Sequence, residues 1–149
     1  MATVLVTGGF DPLHSGHIAY FKAAKKLGDK LIVGLNSDEW LRRKKGRPFM
    51  PLIERKTIIE NLEMVDEVIS FDDTDDTARD AIEQVKEKEK HVIFANGGDR
   101  HPEAVPEQDV EGVEFAFGIG GGNKMNSSSW ILEEWKAPKT IRTWGHYRN

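Results

Sequence analysis

Short apolar runs alternate with longer stretches of helical periodicity along the chain. The apolar runs are rich in β-branched and aromatic residues and most are apolar on both faces, which is typical of strands in a parallel sheet covered by helices. They predict five strands, at Val4–Thr7, Leu31–Leu35, Val68–Phe71, Val92–Ala95 and Glu114–Phe117. The alternation of strands and helices predicts an α/β fold, a Rossmann-like doubly wound parallel sheet with helices on both faces.

Four helices are predicted between and after these strands from apolar positions three or four residues apart. The first, Ile18–Leu27, has its apolar residues on one stripe, and Gly28 is expected to stop it. The second is Leu52–Val65, with its inward positions at Ile58, Leu62 and Val65. The last two are Thr77–Lys88, with Ala81, Ile82 and Val85 inward, and a helix that opens at Ser127–Ser129.

The length of 149 residues and the absence of an internal repeat indicate one compact domain. We expect this domain to occupy residues 1–135. The remaining residues, 136–149, lack clear periodicity. They are either a C-terminal arm or the start of a truncated following segment.

Composition removes several functional classes. There is no cysteine, which excludes disulfides and thiolate–zinc sites and favours a cytoplasmic location. The N-terminus lacks the basic start and long apolar stretch of a signal peptide, and no segment approaches the length of a membrane span. A net charge of −4 disfavours nucleic acid as a partner. We therefore expect a cytoplasmic protein that binds neither nucleic acid nor membrane.

The stretch with the most chemistry is the predicted loop between the first strand and the first helix. It contains Gly8 and Gly9 and then His14 and His17, three residues apart. Glycines let backbone N–H groups approach a phosphate, and the start of a helix favours negative charge. Two imidazoles on one turn of the helix point the same way and can donate hydrogen bonds to a polyphosphate. This loop predicts a phosphate-binding site at the carboxyl edge of the sheet.

A metal site is the alternative for the two histidines, and a zinc-dependent hydrolase would use them as ligands. No cysteine and no nearby carboxylate completes a zinc site. The acidic cluster at Asp72, Asp73, Asp75 and Asp76 does not have the spacing of a calcium loop. We therefore predict no metal bound directly by protein ligands.

The string GGFDPLHSGH resembles the G-x-F-D-x-x-H-x-G-H signature of the cytidylyltransferase-like nucleotidyltransferases. Within that superfamily the chain is most similar to glycerol-3-phosphate cytidylyltransferases and to the adenylyltransferase domain that acts on heptose 1-phosphate. The resemblance runs from Val4 to about Leu132. It includes AAKKLGDKLIVGLNSDE, KGRPFMPLIERKTIIENLEMVDEVI, NGGD at Asn96–Asp99 and SSSWI at Ser127–Ile131.

The resemblance implies roles for four catalytic residues. His14 and His17 would contact the triphosphate and stabilise the transition state. Lys44 would place a mobile ammonium on the reacting phosphates, although a solvated basic loop is the alternative. Arg55 would present a guanidinium fork to phosphate, with a surface ion pair to a glutamate of the same helix as the alternative.

The resemblance also implies nucleotide-binding and acceptor-binding residues. The nucleotide-binding set is Gly8, Gly9, Phe10, Asp11, Asn96, Gly98, Asp99, Lys124, Ser127, Ser128 and Ser129. Capping is the alternative for Asp11 and for one of the serines. Asp38 would bind the acceptor or brace its loop. The glycine-rich approach Gly118–Asn126 lacks the arginine of glycerol-3-phosphate cytidylyltransferases, so that Lys124 would replace it or the loop would cover the triphosphate.

The resemblance implies a nucleotidyltransferase that joins a nucleoside triphosphate to a phosphorylated small molecule and releases pyrophosphate. The short single domain and the acceptor-side pattern favour CTP and glycerol 3-phosphate. The segment KGRPFMPL favours the alternative, transfer from ATP to a sugar 1-phosphate. A non-catalytic nucleotide-binding module is the second alternative. We expect Mg²⁺ to be held mainly through the triphosphate, and the chain to form a homodimer, as close relatives usually do.

Overall fold

The computed structural model describes residues 2–97, 105–120 and 127–136. Five strands form one sheet: β1 Thr3–Gly8, β2 Lys30–Leu35, β3 Glu67–Ser70, β4 Val92–Gly97 and β5 Glu114–Ile119. The helices are α1 Ser15–Lys25, α2 Asp38–Lys45, α3 Leu52–Glu60, α4 Arg79–Lys88 and α5 Ser128–Lys136, and a 3₁₀ turn lies at Pro106–Asp109. Among these helices none combines the length and hydropathy needed to cross a bilayer.

The sheet is parallel throughout, in the order β3-β2-β1-β4-β5, which confirms the doubly wound fold. The chain moves outward from β1 to β2 and β3 and then returns to place β4 on the other side of β1. Strand order therefore reverses between β1 and β4. The carboxyl edge at such a reversal is where open α/β sheets bind their ligands.

Helices cover both faces of the sheet. Side chains alternate along β1, so that Val4 and Val6 pack with Phe21 of α1 while Leu5 packs with Ile82 of α4. These residues are fully buried. The predicted inward positions of α4, Ala81, Ile82 and Val85, are confirmed, although this helix begins at Arg79 rather than at Thr77.

Gly28 follows α1 for a reason that the sequence did not indicate. The helix ends at Lys25 with Lys26 as its C-cap, two residues before the glycine. A Cβ on Gly28 would lie 2.5 Å from the carbonyl oxygen of Ala2. The glycine is therefore required by the close approach of this turn to the start of β1.

The structure contains a helix that the sequence pattern did not predict. Ser37 caps α2, because its hydroxyl accepts a hydrogen bond from the Trp40 amide at 3.1 Å. Asp38 and Glu39 occupy its first turn and basic residues its last turn, as the helix dipole favours. Only Leu41 is buried, so the helix has no apolar stripe from which to recognise it.

The second predicted helix, Leu52–Val65, is shorter in the structure and its inward face is rotated. It ends as α3 at Glu60, and residues 61–64 form turns. Ile59 is fully buried, whereas Ile58 is 40% exposed. The prediction that Ile58 faces the core is therefore wrong, because extending the stripe to Val65 required a helix that continues through the turn.

The pair Ile58 and Ile59 provides a matched test of this register. We expect Ile59→Ala to lower the free energy of unfolding by about 2–5 kcal/mol, because it leaves a cavity in the core. Ile58→Ala should lower it by much less. Denaturant unfolding of both variants measures the difference, and equal losses would contradict the described register.

Candidate active site

The loop after β1 enters α1 through a cap that both histidines build. His14 is the N-cap residue, and its Nδ1 accepts a hydrogen bond from the Gly16 amide at 3.0 Å. Nδ1 of His17 accepts in return from the His14 amide at 3.2 Å. The pair therefore forms a capping box in which imidazoles replace the usual hydroxyl and carboxylate.

This cap fixes which ring nitrogen carries the proton in the neutral imidazoles. Each Nδ1 accepts from a backbone amide, so the neutral form of His14 or His17 carries its proton on Nε2. The rings are stacked, with centroids 3.8 Å apart and an interplanar angle of 27°. The two Nε2–H groups therefore belong to adjacent, parallel rings, which suits donation to neighbouring oxygens of one polyphosphate.

His17 stays neutral over the physiological range. Burial lowers its pKa to about 3, and the nearby His14 and Lys45 contribute in the same direction. Phe10 supplies part of this apolar surrounding, because its ring packs edge-on against His17 with centroids 5.0 Å apart. Phe10 was predicted to bind the nucleotide. In the structure it is only 7% exposed, and its observed role is to pack against His17.

Lys45 is a site residue that the sequence interpretation missed. Its Nζ donates to the carbonyl oxygen of Asp11 at 2.6 Å, beside the histidine loop. Burial lowers the pKa of this ammonium. Both Lys45 and the predicted Lys44, one position away, are exposed residues, and they differ in their contacts: the Nζ of Lys44 lies 5.0 Å from the centroid of the Trp40 ring. Lys45 lies four residues after the buried Leu41, a spacing that would have indicated it if α2 had been recognised.

The start of α5 meets the histidine loop directly. Ser127 caps this helix, because its hydroxyl accepts from the Trp130 amide at 3.0 Å. The Ser128 hydroxyl donates to the carbonyl oxygen of Pro12 at 2.8 Å, two residues before His14. Ser129 is exposed. One serine is thus a cap, as the alternative held, while the second joins two helix starts that are far apart in sequence.

Arg55 is buried rather than open to a ligand. Its side chain is 0% exposed and forms an ion pair with Asp38 at 2.8 Å. Its other bonds go to the carbonyl oxygens of Gly9, Asn36 and Met50, at 3.0, 2.8 and 3.0 Å. The sequence analysis expected this guanidinium either to bind phosphate or to pair with a glutamate of its own helix, and the observed contacts match neither expectation. The guanidinium positions three loops, and Asp38 braces them with it.

Two aspartates complete this bracing. The Asp11 carboxylate accepts from the amides of Phe49 and Met50, at 2.6 and 2.7 Å. Asp73, which the sequence analysis considered only as a member of an acidic cluster, accepts from the amide and the hydroxyl of Ser37, at 2.7 and 2.8 Å. Both aspartates are buried. They hold the segment before α3 and the cap of α2 at the carboxyl edge of the sheet.

The remaining predicted residues lie at the ends of β1 and β4 or outside the described residues. Asn96 is buried and its side-chain amide donates to Ala116 O at 3.2 Å, where β4 and β5 shift register. The carbonyl of Gly8 accepts from the Asn36 amide at 3.0 Å. The residues that lie outside the described ranges are Gly98, Asp99 and Lys124.

The arrangement suits a polyanion. Two imidazole donors, the Lys45 ammonium and the starts of α1 and α5 meet at the carboxyl edge of β1. Helix starts and ammonium groups both favour negative charge. Donors held in place before the ligand arrives stabilise charge that develops during a reaction without a cost for reorganisation.

Comparison with known proteins assigns the family. The family model described as "Cytidylyltransferase-like" matches residues 5–119. The chain belongs to the cytidylyltransferase-like family. It is thus a nucleotidyltransferase by family, and the sequence resemblance is confirmed.

Individual relatives of this cytidylyltransferase-like chain are proteins named "Bifunctional protein HldE". The one from Erwinia tasmaniensis is 41% identical over 120 residues, covering 79% of this chain and 23% of the relative. The one from Proteus mirabilis is 40% identical over 124 residues, covering 82% of this chain and 24% of the relative. The chain therefore spans about a quarter of the length of these curated relatives.

A solved structure has the same fold. The lipopolysaccharide core biosynthesis protein from Thermoplasma volcanium GSS1 aligns with a TM-score of 0.62 and 31% identity. The alignment covers 78% of this chain and 95% of that one. Nearly all of that protein is included in the alignment, so the two proteins share the Rossmann-like fold over most of both chains.

Removing the buried guanidinium should destabilise the protein. We expect Arg55→Met to lower the free energy of unfolding by about 3 kcal/mol or more, because Asp38 and three loop carbonyls lose a buried partner. Arg42→Met is the matched control, because Arg42 pairs with Glu39 on the surface, where such pairs contribute about 0–1 kcal/mol. Denaturant unfolding of the two variants compares them, and a small loss in Arg55→Met would contradict the bracing role.

The lowered pKa of His17 predicts a dependence of stability on pH. An unfolded histidine takes up its proton near pH 6.5, whereas folded His17 does so only at about 3. The unfolded state therefore binds more protons between these values, and stability falls as the pH falls through this window. His17→Asn, which keeps an acceptor near the Nδ1 position, should reduce the slope by up to about 1.4 kcal/mol per pH unit. Parallel stability curves between pH 6.5 and about 5 would contradict the burial of a neutral His17.

Proposed function

We propose that this chain transfers the adenylyl group of ATP to the phosphate of a sugar 1-phosphate and releases pyrophosphate. The observation that carries the proposal is the 2.8 Å hydrogen bond from the Ser128 hydroxyl to Pro12 O. Because of it, the serine-containing start of α5 lies against the loop that bears both histidines. A triphosphate needs donors on two sides, and these two helix starts supply them.

The comparisons favour ATP and a sugar phosphate over the CTP and glycerol 3-phosphate that the sequence first favoured. The relatives named HldE are about 40% identical to this chain, and the solved relative is a lipopolysaccharide core biosynthesis protein. Both agree with the resemblance of KGRPFMPL to the heptose 1-phosphate adenylyltransferase domains. The phosphate motifs alone do not distinguish the two nucleotides, since both subfamilies carry them.

The proposed reaction is an in-line displacement at the α-phosphorus of ATP. An oxygen of the acceptor phosphate forms the new P–O bond, and the bond to the β-phosphate breaks, so that pyrophosphate leaves with its electron pair. A phosphate monoester has its second pKa near 6 and is largely a dianion at neutral pH. No general base is therefore needed. Catalysis comes from positioning and from donors placed where charge develops.

The histidines, the lysines of α2 and Arg55 have different parts in that displacement. The Nε2–H groups of His14 and His17 donate to the triphosphate and stabilise charge on the departing pyrophosphate. The ammonium groups of Lys44 and Lys45 lie on α2, where they offset the charge of the two substrates. Arg55 acts as a positioning residue, because it holds the carbonyl of Gly9 and therefore the loop that precedes the histidines.

Mg²⁺ belongs to this proposal as an ion carried by the triphosphate. Within residues 2–97, 105–120 and 127–136 no group of three or more acidic or histidine side chains could hold a metal. The carboxylate of Asp11, which lies in the histidine loop, already accepts hydrogen bonds from two backbone amides. A magnesium ion bound through phosphate oxygens would neutralise part of their charge.

The test is pyrophosphate release by the purified chain with ATP or CTP against sugar 1-phosphates and glycerol 3-phosphate. We expect release with ATP and a sugar 1-phosphate and much slower release with the other pairs. Faster release with CTP and glycerol 3-phosphate would overturn the choice of substrates. Nucleotide binding without release from any pair would overturn the enzymatic proposal.

Histidine variants test the assignment of the donors. His14→Asn and His17→Asn keep an acceptor for the cap of α1 and remove the Nε2–H donor. We expect each to lower kcat by about a hundredfold or more with a near-native melting temperature. His91→Asn is the matched control, because His91 is exposed and pairs with Glu114 away from the loop. Native kcat in both site variants would remove the histidines from the mechanism.

A further inference from the structure

Trp40 borders the histidine loop although no sequence motif pointed to it. It lies in the first turn of α2 and is partly buried. Its Cζ3 lies 3.4 Å from where a Cβ on Gly9 would stand, and Leu41 Cδ2 lies 2.9 Å from the same point. A side chain at position 9 would collide with α2, so the close packing of this helix requires glycine there. The indole is thereby brought to the rim of the proposed phosphate site.

Lys44 lies over this indole, with its Nζ 5.0 Å from the ring centroid. The preceding basic residues Arg42 and Arg43 are paired with Glu39 and Asp76. Across the described parts of the chain, Lys44 makes no ion pair with a carboxylate. In a protein of net charge −4, an ammonium held on an aromatic face beside the histidine loop remains available to an anion.

We propose that Trp40 and Lys44 together form the acceptor subsite, where the C–H face of a sugar ring packs on the indole and the sugar phosphate binds the ammonium. This inference rests on the proposed function, and it names the two side chains that would select its acceptor. A sugar phosphate has an apolar ring face that an indole can contact and a charged end that the neighbouring ammonium can bind. Glycerol 3-phosphate offers the charge without the ring face.

The location on α2 agrees with this assignment. The helix follows β2, whereas Asn96 ends β4 on the opposite side of β1. An acceptor on Trp40 would therefore approach the histidines from the β2 side and leave the β4 side to the nucleotide. That arrangement presents the acceptor phosphate and the triphosphate to each other across the end of β1, as an in-line displacement requires.

Steady-state kinetics test the subsite. We expect Trp40→Leu to raise KM about tenfold for the best sugar 1-phosphate in a panel of heptose, mannose, glucose and galactose 1-phosphates, and to leave KM for ATP within about twofold. Trp40→Phe should restore most of the acceptor affinity, because it retains an aromatic face. Trp135→Leu is the matched control, since that indole is 70% exposed on α5. An unchanged acceptor KM in Trp40→Leu, or equal rises for acceptor and ATP, would overturn the inference.

Fluorescence provides a readout that does not depend on turnover. We expect the same sugar 1-phosphate to change the tryptophan emission of the wild-type protein with a saturable dependence on concentration. Trp40→Phe should lose this change while still binding the acceptor. A signal that persists in Trp40→Phe would place the sugar elsewhere.

The two tests separate the inference from the function on which it rests. No pyrophosphate release from the wild-type protein, together with a saturable signal that Trp40→Phe abolishes, would overturn the proposed reaction and keep the subsite. Release with an unaltered acceptor KM in Trp40→Leu would keep the reaction and overturn the subsite. Glycerol 3-phosphate added as a ring-free comparator should give little change in emission at the same concentrations.

Discussion

The site depends on one buried guanidinium. Arg55 has no exposed side-chain surface, yet it bonds to Asp38 and to carbonyls that follow β1, follow β2 and precede α3. Those carbonyls lie outside the strands, where no ladder satisfies them, so that they need a donor from elsewhere. A guanidinium with five N–H groups in a planar fork can satisfy these three carbonyls and the Asp38 carboxylate together, whereas a lysine ammonium has only three N–H groups. Because the Arg55 side chain is buried, it holds the loops around the histidines without occupying the surface that a ligand would contact.

In the proposed reaction each histidine would combine a structural and a chemical task in the same ring. Nδ1 of each imidazole accepts a hydrogen bond from the backbone at the start of α1, and this leaves Nε2 to carry the proton. Burial keeps His17 neutral, with Phe10 packed edge-on against its ring, so that in the proposed reaction it would meet a polyphosphate as a directed donor rather than as a cation. Positive charge is supplied separately by lysines on α2, whose long side chains can follow the ligand. Direction and charge thus come from different elements, and each can be optimised without disturbing the other.

The sequence predicted the sheet and the loop well because both have local signals. Apolar runs of four or five residues located all five strands to within two residues at each end, and the glycine and histidine spacing located the loop. The missed features depend on contacts between distant residues. Helix α2 has one buried residue and no stripe, so Lys45 and Trp40 went unrecognised. The burial of Arg55 requires partners 46 residues away at Gly9 and 17 away at Asp38, which no periodicity in α3 reveals.

The topology agrees with the proposed division of the site between two substrates. Strand β1 lies in the centre of the sheet, with β2 on one side and β4 on the other, and the histidine loop leaves its carboxyl end. Helix α2, which directly follows β2, lies on one side of the loop and carries Asp38, Trp40 and the two lysines. Asn96, near the end of β4, lies on the other side of β1, while α5 contacts the loop through Ser128. Two substrates that must meet at one phosphorus need separate approaches to a common set of donors. A strand order that reverses at β1 provides them, so the reaction can be varied on either side without altering the histidine cap.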